Sequence, residues 1–95
     1  MEETILTKNP QEGMTGYSLS RAEYDLTRDA ILESLRANGE MKLMELSLAA
    51  YRRLRGQLEG DIGWYVTVVR LDLEARNVIE RVPGPGSQRV RLVTQ

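Results

Sequence analysis

Leu71-Asp72-Leu73-Glu74-Ala75-Arg76-Asn77-Val78-Ile79-Glu80-Arg81-Val82-Pro83-Gly84 is the stretch on which the fold turns. Its first six residues continue a helical pattern, and Asp72 with Arg76 stands at the i, i+4 spacing that supports a helix by ion pairing. Asn77 tolerates the left-handed backbone that stops a helix. Residues 78–82 are β-branched and compact and follow without a linker. Pro83-Gly84-Pro85-Gly86-Ser87-Gln88 supplies a turn, after which Arg89-Val90-Arg91-Leu92-Val93 alternates with period two. That alternation puts Val90 and Leu92 inward and Arg89 and Arg91 outward. A helix thus runs straight into a two-stranded hairpin.

Upstream, Asp61 is placed to cap a helix over residues 62–76 by accepting from its first free amides. Ile62, Val66, Val69 and Leu73 define one apolar stripe on it, and Trp64, Val68, Leu71 and Ala75 a second. Two stripes exceed what a third helix packed on two others needs, so the second has no evident cover. Leu43, Leu46, Ala50 and Leu54 keep a 3.6-residue period with Met44, Leu48 and Tyr51 beside them, which predicts a helix over residues 43–55. Met41, just before it, is placed to add a strand residue to the later hairpin. Ser20-Arg21-Ala22-Glu23 has the form of a capping box and opens the first helix. Tyr24, Thr27, Ile31 and Leu35 form its inner stripe, and Asn38-Gly39 ends it. Residues 1–18 lack periodicity and carry Asn9-Pro10, Gly13 and Gly16, which predicts a flexible or loosely docked arm ahead of one domain over 19–95. The class expected is mainly α with a small β-hairpin.

The 95 residues carry a formal net charge of -1 and contain neither Cys nor His. Disulfides, thiolate metal sites, thiol nucleophiles, the commonest general base and the commonest zinc ligand are therefore all missing. Ser18, Ser20, Ser34, Ser47 and Ser87 lack an imidazole base, and no Gly-x-Ser-x-Gly stretch occurs. Asp72 and Glu74, two apart on a helix, diverge instead of converging on a metal or a substrate, and salt bridges of Asp72 with Arg76 and Glu74 with Arg70 are expected. Residues 83–86 have no Lys and no following helix with which to cradle a phosphate. No catalysis, cofactor or metal is expected. Apolar runs fall far short of the roughly 20 residues needed to span a bilayer, and Glu2 and Glu3 stand where a signal peptide is basic. These features predict a cytoplasmic protein without a membrane partner.

Residues 1–60 hold eight Lys/Arg against ten Asp/Glu, and residues 61–95 five against four, so neither part is strongly basic. Arg52, Arg53 and Arg55 nevertheless cluster, and Arg81, Arg89 and Arg91 leave the segment after Glu80 free of acids. Two readings stand: solvated charges that protect helix and strand edges, or contacts to phosphate. Trp64 is likewise either a ring shielding the core or an anchor for a protein contact, with Tyr65 beside it.

The order helix, helix, helix, strand, loop, strand over residues 20–93 resembles the winged helix-turn-helix family, a three-helix core with a two-stranded wing. Gly63-Trp64-Tyr65-Val66 followed by Leu71-Asp72-Leu73-Glu74-Ala75-Arg76 and Val78-Ile79 also resembles a family of small bacterial winged-helix proteins that brings no activity with it. The wider resemblance implies double-stranded DNA binding and transcription regulation by a dimer, with Thr67 and Arg70 reading base edges and Arg52, Arg53, Arg89 and Arg91 on phosphates. Arg70 stands seven residues before Asn77, where the commoner pattern of that fold has a core Leu before a Gly, which implies a differently packed helix. The alternative is a protein-interaction or dimerisation module that docks a second copy or another protein through Trp64, Tyr65, Val68 and Leu71.

Overall fold

The computed structural model describes residues 3–11, 13 and 16–93. Residues 1, 2, 12, 14 and 15 of the expected arm, and 94 and 95 of the expected domain, lie outside the described residues. Helix α1, Arg21–Asn38, begins where the Ser20 hydroxyl accepts from the Glu23 amide at 3.1 Å. Only half of the expected capping box forms, and the Glu23 carboxylate accepts from the Tyr65 hydroxyl at 2.8 Å. Gly39 takes a φ of 72° and ends the helix. Strand β3, Met41–Lys42, leads into α2, Leu43–Leu54, whose start is fixed by the Lys42 amide donating to Glu45 at 2.9 Å. Helix α3, Ile62–Ala75, is capped by Asp61, which accepts from the Trp64 amide at 3.1 Å. Asn77, at φ 61°, makes the left-handed turn that sends the chain into the C-terminal hairpin.

Strands β4, Ile79–Val82, and β5, Arg89–Leu92, pair antiparallel with Ile79 opposite Leu92 and Val82 opposite Arg89. Met41 pairs with Val90 on the other side of β5, so β5 is the central strand of three, and Met41 takes the strand position its sequence suggested. Ile79 and Val90 are fully buried among Ile31, Leu35, Leu46, Leu54, Val66, Val69 and Leu73. Each such side chain contributes roughly 1.5–3 kcal/mol on leaving water.

The start of the chain departs from the expected loose arm. Thr4–Leu6 (β1) and Ser18–Ser20 (β2) form a second antiparallel sheet with Ile5 opposite Leu19. The Arg21 amide donates to the Glu3 carbonyl at 2.8 Å and the Thr7 amide to the Tyr17 carbonyl at 2.9 Å, which extends the pairing at both ends. Strands of three residues carry too little apolar alternation to be read as strands, and docking onto the helices supplies what their pattern lacks. The described residues therefore make a mixed α/β domain of three helices and two small antiparallel sheets, where mainly α with one hairpin was expected.

Candidate functional site

Helix α3 positions most of the residues singled out from the sequence. Val66, Val69 and Leu73 point into the core, as the first stripe requires. The second stripe has a cover after all. Val68 is buried and Leu71 partly so, and both line a small gap shared with Thr7, Lys8, Asn9, Gly16 and Tyr17. The N-terminal residues thus occupy the face that Val68 and Leu71 were expected to offer to a partner. Of the expected protein-contact residues Trp64 is the most exposed, at 37%, and Tyr65 is partly buried. The Trp64 ring meets Tyr17 and Tyr65 edge-on, with centroids 5.1 and 5.2 Å apart, the favoured geometry for aromatic pairs. Tyr65 is tied to α1 by its bond to Glu23, which also raises the pKa of its phenol.

The arginines are differently employed from what groove reading would need. Arg70, with its side chain 11% exposed, pairs with Glu74 at 2.5 Å, and burial lowers its pKa. The other Glu74 oxygen accepts from Arg81 at 2.8 Å, and Arg81 also donates to Gln88. Arg89 lies 3.7 Å from Glu40, and Arg91 lies 2.6 Å from Glu80. Thr67 is exposed, as are Arg52 and Arg53, and Arg53 lines a groove with Asp29 and Glu33. The arginines are also spread out. Arg89 pairs with Lys42 at the start of α2 while Arg52 and Arg53 close its last turn, about 15 Å away along the axis at the helical rise.

One feature of α3 exceeds its expected part. The bridge of Asp72 to Arg76 is present, with the Arg76 Nε 2.9 Å from each carboxylate oxygen. Asp72 itself, however, is completely buried. It also accepts from the Tyr24 hydroxyl of α1 and, at 2.8 Å, from the Lys8 amide, so one carboxylate ties together two helices and the N-terminal segment. The Tyr24 phenol is pushed up to about 12 by burial and by that hydrogen bond. The signal lay in the spacing: Asp72 falls four residues after Val68 and three after Val69, inside the apolar face, where a charge needs partners.

Among the described residues no group of three or more acidic or other ligating side chains could hold a metal ion, and no helix is long and apolar enough to cross a membrane. No curated protein and no solved structure matches the chain. A family model does match, over residues 4–90, from the first residue of β1 into β5, and the chain therefore belongs to the family of unknown function DUF6958.

Proposed function

We propose that this chain is a non-catalytic winged-helix module that binds another protein through the N-terminal end of α3. The order α1, α2, α3, β4, loop, β5 supports the winged-helix assignment. The observation that carries the functional reading is how α3 spends its side chains. Its single arginine, Arg70, is committed to Glu74, while Trp64 stands at the surface against Tyr17 and Tyr65, with Thr67 one turn further on. Rigid aromatic rings give large contact area at low entropic cost and dominate the energetic centres of protein interfaces. A role without catalysis is supported by the lack of His and Cys.

Double-stranded DNA is the second reading, favoured by the exposed group Arg52, Arg53 and Arg55 at the end of α2. Against it stand the carboxylate partners of Arg70, Arg89 and Arg91. A photo-crosslinking side chain at Thr67, introduced in cells, tests the choice. Protein binding gives a discrete protein adduct that disappears in Trp64→Ala. Salt-steep binding to duplex DNA, weakened on every sequence by Arg52→Glu with Arg53→Glu and accompanied by no adduct, would overturn it.

A further inference from the structure

Helix α2 carries an apolar ridge that the proposed α3 contact leaves unused. Leu46, Ala50 and Leu54 take its inner face, whereas Met44, Leu48 and Tyr51 are 82%, 50% and 46% exposed. The spacing i, i+4, i+7 puts those three in one line on the outer side. Exposed apolar residues scattered singly need no explanation, but three aligned on one helix make a contact surface. We infer that this ridge packs against the same ridge of a second copy, with the two α2 helices antiparallel about a twofold axis near Leu48.

Charge selects the occupant and its direction. Glu45 lies in the first turn of α2 and Arg52 in the last, seven residues apart and so on the same flank of the ridge. In an antiparallel pair related by a twofold axis, like flanks face each other in reverse order, which sets Glu45 opposite Arg52 of the second copy and Arg52 opposite its Glu45. The surface is thus complementary to itself, as a twofold contact demands. A parallel twofold pairing would bring opposite flanks together and leave Glu45 and Arg52 without each other as partners. Beside Met44 lies an open hollow of about 470 Å³ lined by Lys42, Leu43, Ser87 and Gln88, within reach of Tyr51 of the second copy in this register. A helix of 12 residues offers a ridge about 18 Å long, less than an interface of standard size, so the dimer is concentration-dependent.

Sedimentation equilibrium at concentrations up to about 1 mM, where small interfaces associate, tests this. The wild type should move from 10.8 kDa toward twice that mass, and Leu48→Glu should hold it at 10.8 kDa. Glu45→Arg and Arg52→Glu alone should each weaken association about tenfold, because each turns two attractive contacts repulsive. Mixed in equal amounts they should recover a heterodimer, since one chain then carries two cations on the flank and the other two carboxylates. All these positions are exposed and outside the core, and because Glu45→Arg also loses the Lys42 cap, Arg52→Glu and the mixture serve as its controls. A wild type monomeric throughout, an unchanged mass for Leu48→Glu, or a mixture no tighter than its components overturns the inference. The α3 contact is a separate surface, and the Thr67 crosslink reports on it independently.

Discussion

Each end of the chain folds into a two-stranded antiparallel ribbon, but the C-terminal ribbon is held by burial and the N-terminal one by polar groups. In β4 and β5, Ile79 and Val90 are completely buried and β3 adds a third strand. In β1 and β2 only Leu19 is fully buried, with Ile5 partly so. The N-terminal segment is fixed instead through Thr7, whose hydroxyl accepts from the Tyr17 amide at 2.8 Å, and through the Lys8 amide on Asp72. Burial is non-directional and degrades gradually. A polar anchor is directional, and its loss leaves unsatisfied groups behind.

Removing the anchor should give the largest effect. Asp72→Ala leaves the Tyr24 hydroxyl and the Lys8 amide without their acceptor, at about 1–3 kcal/mol for each unsatisfied buried group, while Arg76, a third exposed, turns to solvent. Urea denaturation measures the global loss, and amide exchange at Lys8 should rise with it. Protection at Lys8 unchanged from the wild type would mean that the segment is held by something other than Asp72. The matching test on the other ribbon is Ile79→Ala, expected to cost about 2–4 kcal/mol through lost burial and a cavity. Here the loss should be global, with Lys8 exchange changing only as far as overall stability does. If Ile79→Ala frees the N-terminal segment selectively, the two ribbons are coupled and the contrast between them fails.

That contrast also explains what was legible in the sequence. Residues 78–82 are β-branched and compact, Arg89 to Val93 alternate with period two after a Pro/Gly turn, the three helices carry apolar stripes, and Ser20 and Asp61 cap the first and third, so those elements could be read. The ion pairs of Asp72 with Arg76 and Glu74 with Arg70 followed from helical spacing alone. The N-terminal ribbon escaped because its strands have three residues and its anchors are backbone amides, which no side-chain pattern records. Its place was nonetheless implied by the surplus stripe of Val68 and Leu71, a face without a cover. On the candidate site, the sequence left Trp64 open between a ring shielding the core and a surface anchor, and its partner Tyr17 was not legible, since it comes from the segment expected to be an arm. The carboxylate partners of Arg89 and Arg91 depend on register and on the path of the α1–β3 turn, which local sequence does not specify.

Alkaline pH should loosen the same anchor. The Tyr24 phenol is raised from its ordinary 10.0 to about 12, so the folded protein holds this proton more tightly than the unfolded chain does. Its contribution is therefore fully present below pH 10.0 and is lost as pH rises through about 12, amounting to roughly 2–3 kcal/mol across that window. Urea midpoints taken across that range should fall in the wild type and flatten in Tyr24→Phe. Equal slopes in the two proteins would place the pH dependence elsewhere.

The smallest global effect and the sharpest local one are expected at Gly16. This glycine does not have positive φ, so its reading as a chain punctuator gives way to a steric reason: a Cβ there would overlap the Thr7 carbonyl carbon and oxygen and the Thr7 hydroxyl. Backbone atoms of two passing segments cannot yield as a flexible side chain can, so Gly16→Ala must push the segment after β1 away from the one entering β2. Overpacking of this kind costs roughly 1–3 kcal/mol, with the lower end expected here because Gly16 lies outside the core formed by α1, α2, α3 and β5. The chain should stay folded, with Val90 and Val69 amides protected from exchange, while Lys8 and Tyr17 amides lose protection and Val68 and Leu71 gain solvent contact. Trp64 would lose Tyr17 from its edge, so its fluorescence should shift to the red. Full protection at Lys8 in Gly16→Ala would show that the segment can re-route without undocking. The N-terminal ribbon would then be held by more interchangeable contacts than its polar anchors imply.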